Sequence, residues 1–207
     1  MTFLNLKFKF YVLNKLIDKK NYMKKLILLL VVFISYQSFS NERTVNVDKS
    51  FVKWTGKEIT TKIHFGKLNI SSGSITVDDN GVSGEVNVNM ESLVVEDLQG
   101  EWGKKLEGHL KSDDFFSVDK FKESSIKTTS STKKSDNLYE VQGVLTIKDI
   151  SHPITFDVKV DGNTLNTNLT FDRSLYDVRF RSGSFFENLG DKLIVDDIDL
   201  EVTLELN

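Results

Sequence analysis

DDNGVSGEVNVNM, residues 78–90, is the stretch that decides the fold. Within it Val82, Val86, Val88 and Met90 alternate with Ser83, Glu85, Asn87 and Asn89. Successive side chains of a strand point to opposite faces, so a period of two makes one apolar face and one polar face. DDNG at the front supplies a hairpin turn, because Asp, Asn and Gly tolerate the backbone conformations of a tight reversal. The stretch is therefore one arm of a hairpin with a single face to bury.

The same alternation recurs at Tyr139, Val141, Leu145 and Ile147, at Ile154, Phe156, Val158 and Val160, at Leu165, Leu169 and Phe171, and at Ile198, Leu200, Val202, Leu204 and Leu206. DGN at 161–163 separates two of these runs. Helix is scarce. Only 98–110 has helical spacing, with Leu98, Trp102, Leu106 and Leu110 recurring on one face. One short helix can plug a barrel end but cannot cover a sheet, and closing the sheet on itself buries every apolar face at once. The expected class is all-β, an antiparallel β-barrel of about eight strands with one short helix. A two-sheet sandwich also satisfies the alternation, and the pattern alone leaves the two open.

Composition narrows the function. The chain of 207 residues is 39% apolar, enough for one domain with a real core. Fifteen Phe against one Pro suits strands, and the lack of Cys excludes thiolate chemistry, Cys-ligated zinc and iron–sulfur clusters. Three scattered His argue against a histidine metal cage. Residues 1–40 hold seven Lys and one acidic group, so residues 41–207 carry 20 basic groups against 29 acidic ones, a net charge of about -9. Such a body repels phosphate backbones and anionic lipid surfaces, which argues against nucleic acid and peripheral membrane attachment.

The basic N-terminus has its own reading. MKKLILLLVVFISYQSFS, residues 23–40, places two Lys before nine unbroken apolar residues, followed by Ser38 and Ser40 at the minus-three and minus-one positions. This is the pattern of a cleavable signal peptide, with cleavage after Ser40. A membrane span needs about 20 apolar residues, so no permanent membrane anchor is expected. Residues 1–22 form an upstream basic extension, read as a start codon placed ahead of the true Met23 in preference to a long basic n-region. Without Cys there is no lipobox to acylate. The folded domain is then 41–207, exported as a soluble periplasmic or secreted protein.

The mature region also carries a resemblance. VDKSFVKWTG (47–56), HFGKLNISSGSITVDD (64–79), GEVNVNMESLVVED (84–97), KLEGHLKSDDFFSVDKF (105–121), YEVQGVLTIKDISHPITFDV (139–158) and FDRSLYDVRFRSG (171–183) resemble, in order and spacing, the YceI-like family. The resemblance runs from Val45 to Leu206. It implies a lipocalin-like barrel, periplasmic in bacteria, holding a polyisoprenoid, an isoprenoid quinone or a similar long-chain amphiphile. Lys122, Ile126 and Asp149 depart from the family pattern at turns or strand starts.

Candidate site residues follow from the inward faces. Val86, Val88, Met90, Leu145, Ile147, Phe156, Val158, Leu169 and Phe171 would line the interior. A long guest there gains about 0.8 kcal/mol per buried methylene, or about 8 kcal/mol for ten before ordering costs. The same side chains could equally fill a solid barrel. Phe115 and Phe116 are adjacent, so an extended segment turns only one inward, and Phe115 is assigned to the lumen. Trp54 and Trp102 read as core or lid residues.

Lys105 and His109, one helical turn apart, are candidates for a phosphate or carbonyl headgroup. Arg173, Arg179 and Arg181 with Tyr176 form the densest basic and aromatic cluster. Arginine binds phosphate bidentately, and the resemblance favours Arg173 and Tyr176 as headgroup contacts; ion pairing with Asp172 or Asp177 is the plainer role. Asp191, Asp196, Asp197 and Asp199 lack the spacing of a calcium loop and read as a solvated strand face. No nucleophile elbow, phosphate-cradling glycine loop or paired-carboxylate motif is present. The expected function is a non-enzymatic lipid carrier with no metal or cofactor. The alternative is a solid barrel whose rim binds a protein partner. A homodimer is compatible with either.

Overall fold

The structure, a computed structural model, describes residues 42–207. The expected signal peptide and the extension before it lie outside the described residues.

Eight strands close into a barrel: β2 (Phe51–Lys57), β3 (Ile63–Asp78), β4 (Gly81–Val95), β5 (Glu123–Ser135), β6 (Leu138–Ile147), β7 (Ile150–Asp161), β8 (Thr164–Asp172) and β9 (Asp197–Glu205). Around the wall the order is β3-β2-β9-β8-β7-β6-β5-β4, and β4 returns to pair with β3. The short β1 (Glu42–Thr44) pairs with the far end of β3, where β2 does not reach. Val45 then bridges to Leu206. All strand pairings are antiparallel. The barrel expectation holds, and closure is what lets every alternating apolar face turn inward without a second sheet.

Two local devices shape the wall. Between Lys67↔Val94 and Asn69↔Asn89, Leu68 alone faces residues 90–93 of β4. This irregularity kinks β4 after Met90 and lets Leu93, three residues on, turn inward beside it; both are buried. Ser92 Oγ closes the kink by accepting from the Asn69 N–H at 2.8 Å and donating to the Asn89 carbonyl at 2.6 Å. At Gly66 a Cβ would lie 1.9 Å from the Val94 carbonyl oxygen and 3.0 Å from the Trp54 ring. Glycine lets the Trp54 indole lie across the strand and donate to that carbonyl at 3.2 Å.

The helix α1 (Gly100–Lys111) starts two residues later than its spacing suggests. It seats on the β4 kink: Glu107 Oε1 accepts from the Val95 N–H at 2.9 Å, and Lys111 Nζ donates to the Glu91 carbonyl at 2.8 Å. The β6–β7 hairpin turns on Lys148 and Asp149, both left-handed at φ 52° and 59°, as a two-residue reversal demands. Asp149 thus performs the turn without a glycine.

The two ends of the barrel differ. One is closed by the tight β3–β4, β5–β6 and β7–β8 turns and by buried Val45, Tyr139 and Leu206. The other carries the 58–62 loop, α1, the β6–β7 turn and the long segment 173–196.

Candidate ligand cavity

The barrel is hollow. A cavity of about 520 Å³ fills it, and its wall is built from the inward residues of all eight barrel strands together with α1. Val86, Val88, Met90, Phe115, Leu145, Ile147, Phe156, Val158, Leu169 and Phe171 all line it. The alternation places the nine strand residues there. Phe115 arrives by another route.

Phe116 lines the cavity as well, contrary to the expectation that only one of the pair faces inward. Residues 113–116 form turns instead of a strand, and Ser117 is left-handed at φ 50°. The two rings therefore meet edge to face at 5.2 Å on the same side. Trp54 is buried and also faces the lumen, so it is wall as well as core. Trp102 stands at the open end and is 71% exposed.

The exposed lining residues Lys57, Lys62, Trp102, Lys105 and Arg181 all belong to the helix end, which makes that end the mouth. Lys57 is paired with Asp199 at 2.7 Å, and Lys62 with Glu58 at 4.0 Å. His64 meets Asp97 at 2.7 Å. Lys105 and His109 line the mouth as their positions on α1 suggested. The His109 ring packs edge to face on Phe180 at 4.4 Å and on Phe115 at 5.9 Å. Its Nε2 is buried with no hydrogen-bond partner among the described residues.

Arg173 and Tyr176 do not line the cavity. The Arg173 side chain is fully buried. It donates to the carbonyls of Val178 (3.2 Å), Phe180 (3.0 Å), Ile194 (3.2 Å) and Val195 (3.4 Å), and meets Asp196 at 3.0 Å. Burial pushes the guanidinium below its ordinary value, and Asp196 followed by Asp172 opposes that. Its donors are spent on holding two segments of the 173–196 loop together. Tyr176 packs edge to face on Phe171 and His152, at 5.7 and 5.3 Å. Burial, then the Asp172 charge, pushes its hydroxyl up.

The ion-pair partners also differ from expectation. Arg173 pairs with Asp196 and not with Asp172, whose carboxylate instead accepts from the Ser174 N–H at 2.8 Å. Arg179 pairs with Asp177 as expected. Asp196 is no solvated strand residue: besides meeting Arg173, its Oδ2 accepts from Ser182 and Ser184, each at 2.8 Å. No cluster with metal-ligand composition occurs among the described residues.

The 173–196 loop brings to the mouth two residues not singled out as contacts, Phe180 and Arg181. The arginine cluster was the only sequence signal for them. Which member faces inward depends on the fold of the loop.

The fold and cavity define a class: closed antiparallel barrels with an apolar lumen and one helix-lined mouth. The chain belongs to the YceI-like family, whose domain model matches residues 44–206. UPF0312 proteins of Yersinia enterocolitica and Yersinia pseudotuberculosis are 30% identical to it over 114 residues, 55% of this chain and 57% of theirs. The chain thus spans little more than half the length of these relatives.

Among solved structures, BcnA of Burkholderia cenocepacia is similar with a TM-score of 0.60 at 18% identity, covering 77% of this chain and 98% of BcnA. A polyisoprenoid binding domain from Saccharophagus degradans, implicated in plant cell wall breakdown, has a TM-score of 0.52 at 12% identity, covering 79% and 98%. Both likenesses concern the fold.

Proposed function

We propose that the protein is an exported carrier that holds a long-chain amphiphilic lipid in its barrel and performs no chemistry on it. The observation that carries this reading is the 520 Å³ apolar cavity with its mouth at the helix end. A void of this size lined by aliphatic and aromatic groups forgoes the dispersion contacts a packed core would have, and a guest chain restores them. A polyisoprenoid or isoprenoid quinone is the favoured guest, in keeping with family membership and with the name of the Saccharophagus neighbour. Export to the periplasm fits the 23–40 pattern, and such a carrier would move its guest between membranes. A solid barrel acting only through its rim is disfavoured by the cavity.

Native mass spectrometry after gentle purification tests the proposal. We expect a co-purifying lipid, or uptake of an added isoprenoid quinone at one per chain. A protein that never carries a lipid and takes up none would refute it.

A further inference from the structure

We propose that Lys105 and Arg181 clamp an anionic headgroup at the cavity mouth, so that among long-chain guests of one chain type those with an ionised carboxylate or phosphate head are preferred over neutral ones. This deepens the lipid-binding reading and rests on it. Four cations line the mouth, and two are neutralised, Lys57 by Asp199 and Lys62 by Glu58. Lys105 and Arg181 form no ion pair among the described residues. Each lies over an aromatic ring, with Lys105 Nζ 5.6 Å from the Trp102 ring centre and the Arg181 guanidinium carbon 5.1 Å from that of Phe180. Both therefore present an unpaired positive charge at the mouth of an apolar cavity, in a domain whose net charge is about -9.

Packing brings the pair to the same place. Phe180, beneath Arg181, packs at 4.4 Å on His109, and His109 lies one turn from Lys105 on the same helix face. The loop is built to hold Arg181 there. Its backbone is left-handed at φ 51°, a conformation that costs energy in a residue other than glycine. It is held by the Ile194 N–H donating to the Arg181 carbonyl at 3.0 Å and by the neighbouring Ser182–Asp196–Arg173 network. Two unpaired positive charges at the edge of a low-dielectric lumen attract a charged head more strongly than a neutral one. The apolar wall takes the chain.

The test compares matched pairs: octadecanoic acid against its methyl ester, and a prenyl monophosphate against the corresponding prenyl alcohol. Each competes for the purified protein with a fluorescent lipid probe. The ionised member of each pair should bind about tenfold or more tightly than its neutral twin, as charge-assisted hydrogen bonds allow. The double variant Lys105→Gln/Arg181→Gln should lose that preference while keeping its affinity for ester and alcohol, which also shows that it folds. Preference for the acid alone or the phosphate alone supports the clamp and identifies the head. Equal affinity within both pairs, or a preference that survives in the double variant, overturns the clamp and leaves lipid binding intact. Failure of all four to displace a bound probe overturns the clamp alone, and a protein that binds neither the probe, nor any of the four, nor an isoprenoid quinone overturns both.

Discussion

Arg173 shows how far a residue's role depends on what surrounds it. Sequence places it in a basic cluster suited to a headgroup, yet its five donors face carbonyls and Asp196. Replacing it with Met leaves Asp196 with an uncompensated charge, and the expected cost is about 3–5 kcal/mol in denaturant unfolding. A change below about 1 kcal/mol would mean the pair is no more than a surface contact. Asp97 gives a pH-dependent counterpart. Burial alone would raise it, but the Phe65 N–H and His64 outweigh that and hold its carboxyl below the ordinary 3.8. A depressed folded value means that its stabilisation is fully present above about pH 4 and is lost as pH falls through the folded value. The stability difference between wild type and Asp97→Asn should therefore shrink on acidification below pH 4, and a constant difference would contradict the assignment.

At the scale of elements, α1 is a lid seated on the β4 kink. Glu107→Ala removes the acceptor of the Val95 N–H, with an expected loss of about 1 kcal/mol. Hydrogen exchange of α1 amides should accelerate while the strands far from it keep their protection; unchanged exchange in α1 would show that the bond does not hold the lid. The strands themselves were legible because period-two alternation is a local property. Val86 and Phe156 were placed by counting alone. The Phe115–Phe116 pair was not legible, since a run of turns obeys no period. Arg181 was not legible either: choosing among three arginines of one loop requires knowing which carbonyls a buried guanidinium gathers. The β4 kink has no signal beyond an interruption of the alternation after Met90.

The whole molecule has a hollow interior, and that can be tested by filling it. Val88 and Leu200 face the lumen from nearly opposite parts of the wall and are only half-buried. The double variant Val88→Trp/Leu200→Trp should keep the wild-type melting temperature or exceed it, because the new rings occupy void instead of displacing packed atoms. It should also stop carrying lipid. Retained lipid binding in a folded double variant would show that the guest lies elsewhere.

A barrel closed at one end by buried Val45, Tyr139 and Leu206 is also a length gauge. With the head held at the mouth, each added methylene gains about 0.8 kcal/mol only while there is depth left to receive it. Affinity measured along a homologous series should climb steeply, break at one carbon number and then level off. A steady climb through the longest chains would mean that the floor gives way. The break point measures the depth of the vessel in carbon atoms, and moving it by enlarging Val82 or Leu165 near the closed end would make the protein select a shorter guest.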